Sequence, residues 1–213
     1  MVSGRLLRLH LRARRAPTFL AGVGVVAVLA WIGGNWLASR PYFDGPAARI
    51  PVVTLAPLLG ATLLAPTLGG ADEELERGTP LPWPRWRLGH VLLGATLIGG
   101  TLMLAGLRTP EVFGAYALLR NTLGCVGLVA GAAVLLGARL AWVAAFGYVC
   151  AVYAAAPRQI GGAAGVWAWP VQPSAVGSSW VVALVLLVVG TAGYRRWGAR
   201  AGVRKGPFIY KKR

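Results

Sequence analysis

Apolar runs of roughly 20 residues recur along the chain, separated by short polar or basic stretches. They fall at about 18–38, 51–70, 88–107, 121–138, 140–156 and 180–194. Each approaches the length of a helix that crosses a bilayer. The expected fold is therefore all-α: a polytopic membrane protein with six transmembrane helices. Trp31, Trp36, Tyr42 and Phe43 crowd the far end of the first run, as aromatic belts do at the water boundary. Pro57 and Pro66 interrupt the second run and should open its backbone hydrogen bonds. Such breaks serve as hinges in transporters and as packing features in any bundle. The fourth and fifth runs share a tight turn at Arg139, so the pair reads as a helical hairpin.

Two stretches do not fit the simple alternation. Residues 108–120, RTPEVFGAYALLR, read as a short interfacial helix or as the start of the fourth span. Residues 157–179, PRQIGGAAGVWAWPVQPSAVGSS, are too interrupted by Gly, Pro and Trp to span. They are also too apolar for a solvated loop, so a re-entrant or interface-hugging segment is expected.

Composition strengthens the membrane assignment. The 213 residues are 56% hydrophobic and 13% charged, whereas soluble domains carry about 25% charged residues. The net charge of +16 would suggest nucleic acid in a soluble protein. Here most of it flanks the apolar runs, as the positive-inside rule requires, so no nucleic-acid partner is expected. With both termini in the cytoplasm, 17 Lys and Arg fall inside and five outside. The outer five are Arg40, Arg49, Arg108, Arg120 and Arg158. Nineteen Arg against three Lys, with abundant Ala and Gly, fits a GC-rich bacterial genome.

The two ends are basic. In residues 1–17, Arg5, Arg8, Arg12 and Arg15 fall within an arc of about 80° on a helical projection. This predicts an N-terminal interfacial amphipathic helix, with Arg toward anionic headgroups and Arg14 off the face. The same residues would also serve as a basic flank that sets topology. Residues 195–213 form a basic cytoplasmic tail.

The loop at 71–87, ADEELERGTPLPWPRWR, holds four of the six acidic residues. Asp72 can cap a short helix through Glu73, Glu74, Leu75, Glu76 and Arg77, with the acids in its first turn. Gly78 and three prolines end it.

Catalytic chemistry is sparse. The six spans, with the boundaries above, contain no Asp, Glu, Lys or Arg, which argues against ion-coupled transport and intramembrane proteolysis. No lysine is followed by Ser or Thr, so a phosphate-binding Walker A loop is excluded. No Ser, His and Asp combination suggests a nucleophile. Cys125, Cys150, His10 and His90 do not make a metal site. An enzyme, a cofactor or a metal is not expected, and any work must draw its energy from another chain. Gly127 and Gly131 form a GxxxG, a spacing that lets helices approach closely.

Together these features resemble the membrane permease subunit of bacterial ABC exporters of the second export type, in particular small actinobacterial members. Residues 4–17 are similar to the N-terminal interfacial helix of those permeases. Residues 72–77 are similar to their coupling helix, and 157–179 to their broken re-entrant segment. Glu74-Leu75-Glu76, residues 82–87 and residues 169–173 (WPVQP) add local likeness. The resemblance implies a separate ATPase subunit that binds the ATP, a second permease subunit of the same or a different kind, and a place in the cytoplasmic (inner, plasma) membrane. The alternative is a polytopic protein without transport function, acting as an assembly, immunity or accessory subunit. A lipid-modifying membrane enzyme is a third class, disfavoured because no convergent polar site appears.

Overall fold

The computed structural model describes residues 15–40, 45–69, 82–107, 112–157 and 159–200. Among these, the regular structure is helical and contains no strand. In chain order the helices are α1 (Ala16–Ala38), α2 (Ile50–Leu64), α3 (Trp83–Ala105), α4 (Ala115–Leu136), α5 (Ala141–Ala155), α6 (Gly162–Trp167) and α7 (Gly177–Trp197). Short 3-10 turns at Gly45–Arg49 and Ala65–Thr67 extend α2 at both ends. A third, Trp169–Val171, follows α6.

Among the described residues, five segments are long and apolar enough to cross a membrane: Ala16–Leu37, Ala47–Thr67, Trp83–Ala105, Ala115–Leu136 and Gly177–Trp197. At 1.5 Å per residue, the 21 to 23 residues of each give about 32–34 Å, enough for a hydrocarbon core of about 30 Å. The chain is an all-α, multi-pass membrane protein. The fifth helix, α5, has 15 residues and covers only about 22 Å. It runs from the Arg139 turn to the segment that carries Gln172.

Several boundaries depart from those read in the sequence. The fourth helix begins at Ala115 rather than near 121, because Ala115, Ala117 and Leu118 are apolar and bury with the rest of it. The residues 108–120 therefore include the first turns of α4 from 115 onward, and Arg120 lies inside a helix. It was expected among the outer loop residues, and the expectation that no span holds a charge fails with it. The third helix starts at Trp83 and the last covers Gly177–Trp197, both longer than expected.

Burial ranks the helices. The apolar window of α4 is 67% buried, against 28% for those of α1 and α7. So α4 is the central post, and α1 and α7 turn most of their apolar surface to lipid or to a partner. Around α4 pack α7, α2, α3 and α5. The α4–α7 crossing is the most extensive, and its cause is small residues. A Cβ at Gly127 would run into the backbone of Leu186 and Leu187, and one at Gly190 into the backbone of Gly127. Gly131 stands 3.5 Å from the Gly190 Cα, measured from its own ideal Cβ position. The GxxxG pair thus serves a contact within the chain, backbone against backbone.

At the Arg139 end, Gly137 adopts a φ of 82° and stops α4. Leu140 N–H then bonds the Gly137 carbonyl at 3.2 Å, closing the tight turn. After α7 the chain reverses at Gly198, φ 72°. Arg200 then caps α4, its backbone N–H donating to the Ala133 carbonyl at 2.9 Å and its guanidinium to the Leu135 carbonyl at 3.2 Å. A cation at a helix C-terminus is where the dipole favours it.

Candidate functional site

The polar centre of the bundle is the pair Arg120 and Asn121, both fully buried on α4. Their partners come from distant parts of the chain. The guanidinium donates from Nη1 to the Pro173 carbonyl and from Nη2 to the Gln172 carbonyl, each at 2.8 Å. Its Nε–H donates to Asn121 Oδ1 at 3.1 Å. Asn121 Nδ2 donates to the Val53 carbonyl on α2 and to the Pro170 carbonyl, both at 2.7 Å.

Three of the four partner carbonyls, those of Val53, Pro170 and Gln172, have a reason to need a donor. In a helix the Val53 carbonyl accepts from the N–H of residue 57. Residue 57 is proline, inside α2, and has no N–H. Asn121 supplies the missing donor. The WPVQP stretch contains two prolines and an extended Gln172, which leaves the Pro170 and Gln172 carbonyls to Asn121 and Arg120, while the Pro173 carbonyl also accepts from Val176 N–H at 3.2 Å. In a dry interior an unmet carbonyl is costly. That cost is what makes an Arg and an Asn worth burying here.

The segment they hold is itself internally fixed. Gln172 turns its amide back on the chain: Oε1 accepts from Gly161 N–H at 2.9 Å and Nε2 donates to the Gln159 carbonyl at 3.0 Å. Ser174 N–H bonds the Val112 carbonyl at 2.8 Å. The Tyr148 hydroxyl donates to the Trp167 carbonyl. Tyr148 also stacks on Trp169, with ring centroids 6.3 Å apart. The Trp169 indole is fully buried and packs directly on Gly124, where any Cβ would strike it. Gly124 lies nine residues beyond the start of α4, about 13 Å along its axis. The segment between α5 and α7 therefore dips well into the bundle before α7 carries the chain back.

At the opposite end lie the stems of the acidic loop. The Tyr194 hydroxyl on α7 donates to the Leu68 carbonyl at 2.6 Å. The Thr67 hydroxyl and His90 Nε2 on α3 are 2.9 Å apart. The residues that leave α2 are thus tied to α3 and α7. Tyr194→Phe should raise amide exchange at 68–69 about fivefold, one hydrogen bond's worth, while core exchange stays unchanged. Unchanged exchange at 68–69 would mean that Tyr194 does not hold the stem.

The acidic loop itself, with Asp72, Glu73, Glu74, Leu75, Glu76 and Arg77, lies outside the described residues, as do Arg5, Arg8 and Arg12. Arg15 is described; it is exposed and immediately precedes α1. Gly127 and Gly131 are placed on the α4 face that meets α7. The residues that sequence reasoning passed over are Arg120, Asn121 and Tyr194. Two signals were available for the first pair. The apolar positions 115–119 run on into 122–136, which puts Arg120 inside one helix. Pro57 also announces an unmet carbonyl at Val53.

No group of three or more His, Cys, Asp or Glu side chains that could hold a metal occurs among the described residues. Cys125 is buried and Cys150 is exposed. The arrangement fixes backbone carbonyls of α2 and of the segment before α7. No family model, curated protein or solved structure matches the chain.

Proposed function

We propose that the chain is the membrane permease subunit of an ATP-driven ABC exporter in the bacterial cytoplasmic membrane. On this reading it crosses the membrane six times, with both termini in the cytoplasm. A separate ATPase subunit docks on residues 72–77, and a second permease subunit completes the path. The chain binds no ATP itself and is not an enzyme.

The observation that carries the reading is the tying of the acidic loop's stem into the helices. A push on 70–81 reaches α7 through Tyr194 and Leu68, and α3 through His90 and Thr67. From α7 it passes to α4 across the glycine crossing. From α4 it reaches the re-entrant segment through Arg120 and Asn121. A domain that rocks under an ATPase needs such a stiff route from its docking loop to the far side.

The largely unburied apolar face of α1 favours a second reading, a subunit that binds a partner within the bilayer without transporting. Purification in mild detergent through a C-terminal tag, with mass spectrometry of the eluate, separates the two. A co-purifying ATPase, lost when 72–77 is replaced, supports the permease. A clean complex without an ATPase supports the accessory subunit. Changing Glu73, Glu74 and Glu76 together to Lys should abolish transport and leave ATP hydrolysis by the partner and membrane insertion intact. Normal transport by that variant would remove the loop from the mechanism.

A further inference from the structure

Between α3 and the second half of α7 lies an open cleft of about 890 Å³. Its walls are apolar: Leu88 and Leu92 on α3 face Leu187, Val188 and Ala192 on α7. Its mouth, at the Arg139 end, carries Arg195 and Arg196. Trp197 completes that rim and is mostly exposed, with the Arg196 guanidinium 5.7 Å from its ring centroid. Thr191 lines the same cleft and is 4% exposed. Its buried hydroxyl has no hydrogen-bond partner.

We propose that this cleft binds one anionic phospholipid, its acyl chain along Leu88, Leu92 and Val188 and its headgroup phosphate on Arg195 and Arg196. Three observations select that occupant. From Leu187 to Arg195 is eight residues, about 12 Å of helix. That is nearly the depth of one leaflet, half of a core of about 30 Å. The two cations sit where α7 leaves its apolar stretch, beside an interfacial Trp, the level of headgroups. The Thr191 side chain lines the cleft one helical turn below Arg195, the level of the acyl ester carbonyls. A wholly apolar helix in the same slot would bring no anion to either cation. The inference rests on the membrane fold alone and holds whether or not the chain transports.

The test is native mass spectrometry of the full chain in micelles doped with phosphatidylglycerol or with phosphatidylcholine. The wild type should retain one phosphatidylglycerol in preference to phosphatidylcholine. Each basic residue near an anionic surface contributes about fivefold, so Arg195→Gln with Arg196→Gln should weaken phosphatidylglycerol about 25-fold. The double variant should also erase the preference between the two lipids. Ala192→Phe, which fills the slot, should expel both lipids while circular dichroism and elution volume stay those of the wild type. Equal retention of the two lipids by the wild type, or undiminished binding in Ala192→Phe, overturns the proposal. A lipid-free dimer that Ala192→Phe converts to monomer also overturns it and assigns the cleft to a second copy of the chain.

Discussion

Asn121→Ala should lower the unfolding free energy by about 2–4 kcal/mol, measured by denaturant or steric-trap titration in micelles. The substitution removes three hydrogen bonds at once: to Val53, to Pro170 and from Arg120 Nε. In a bilayer such a bond is worth about 0.6 kcal/mol on average. The loss is larger than the bonds alone suggest, because buried carbonyls and a guanidinium N–H are left unmet. The sharper expectation concerns the partner on α2. Pro57→Ala restores an N–H at position 57, which can reach the Val53 carbonyl along the helix. In the Asn121→Ala background it should recover about 1 kcal/mol. In the wild type it should gain nothing, since Asn121 already satisfies that carbonyl. Equal effects of Pro57→Ala in both backgrounds would show that the two residues are not coupled. The Pro170 carbonyl stays unmet in either case, so the rescue should be partial.

The second large effect is expected at the α4–α7 crossing. Gly127→Leu should prevent folding, with a cost above about 3 kcal/mol. Here the obstacle is the Leu186–Leu187 backbone, which cannot swing aside as a side chain can. Helices α4 and α7 would have to separate, and with them the Tyr194 bond to Leu68 would go. Gly131→Ala should be tolerated within about 1 kcal/mol, because its added methyl would meet the Gly190 Cα at an ordinary 3.5 Å. The two members of one GxxxG should therefore behave very differently. Monodisperse elution and helical content by circular dichroism read the difference. Similar losses at both positions would mean that the motif works as a symmetric face, such as a dimer contact, instead of the lopsided crossing described above.

Much of this architecture was legible in the chain. Apolar runs long enough to span do not depend on what packs beside them, because the bilayer as solvent judges each segment by its own length and hydropathy. That argument located the helices that became α1, α2, α3, α4 and α7, and marked the broken stretch before α7 from its Gly, Pro and Trp. It could not place Arg120. One cation at the start of an apolar run scarcely alters an average over a window of about 19 residues. Only the continuous apolar pattern on both sides of it, over 115–119 and 122–136, marks Arg120 as a helix charge.

What hydropathy leaves open is which residues, 50 to 130 positions apart, come into contact. Gly127 and Gly131 advertise close approach but not the partner; the partner is Gly190 and the backbone around Leu186, within the same chain. Pro57 advertises an unmet carbonyl but not its donor; the donor is Asn121, 68 residues beyond Val53. The sequence alone determined the membrane fold, since each apolar run meets lipid on its own account. Only the tertiary structure decided how α2, α4, α7 and the re-entrant segment join. Those joints depend on backbone approaching backbone and on orphaned carbonyls finding donors, and neither is a property of any single segment.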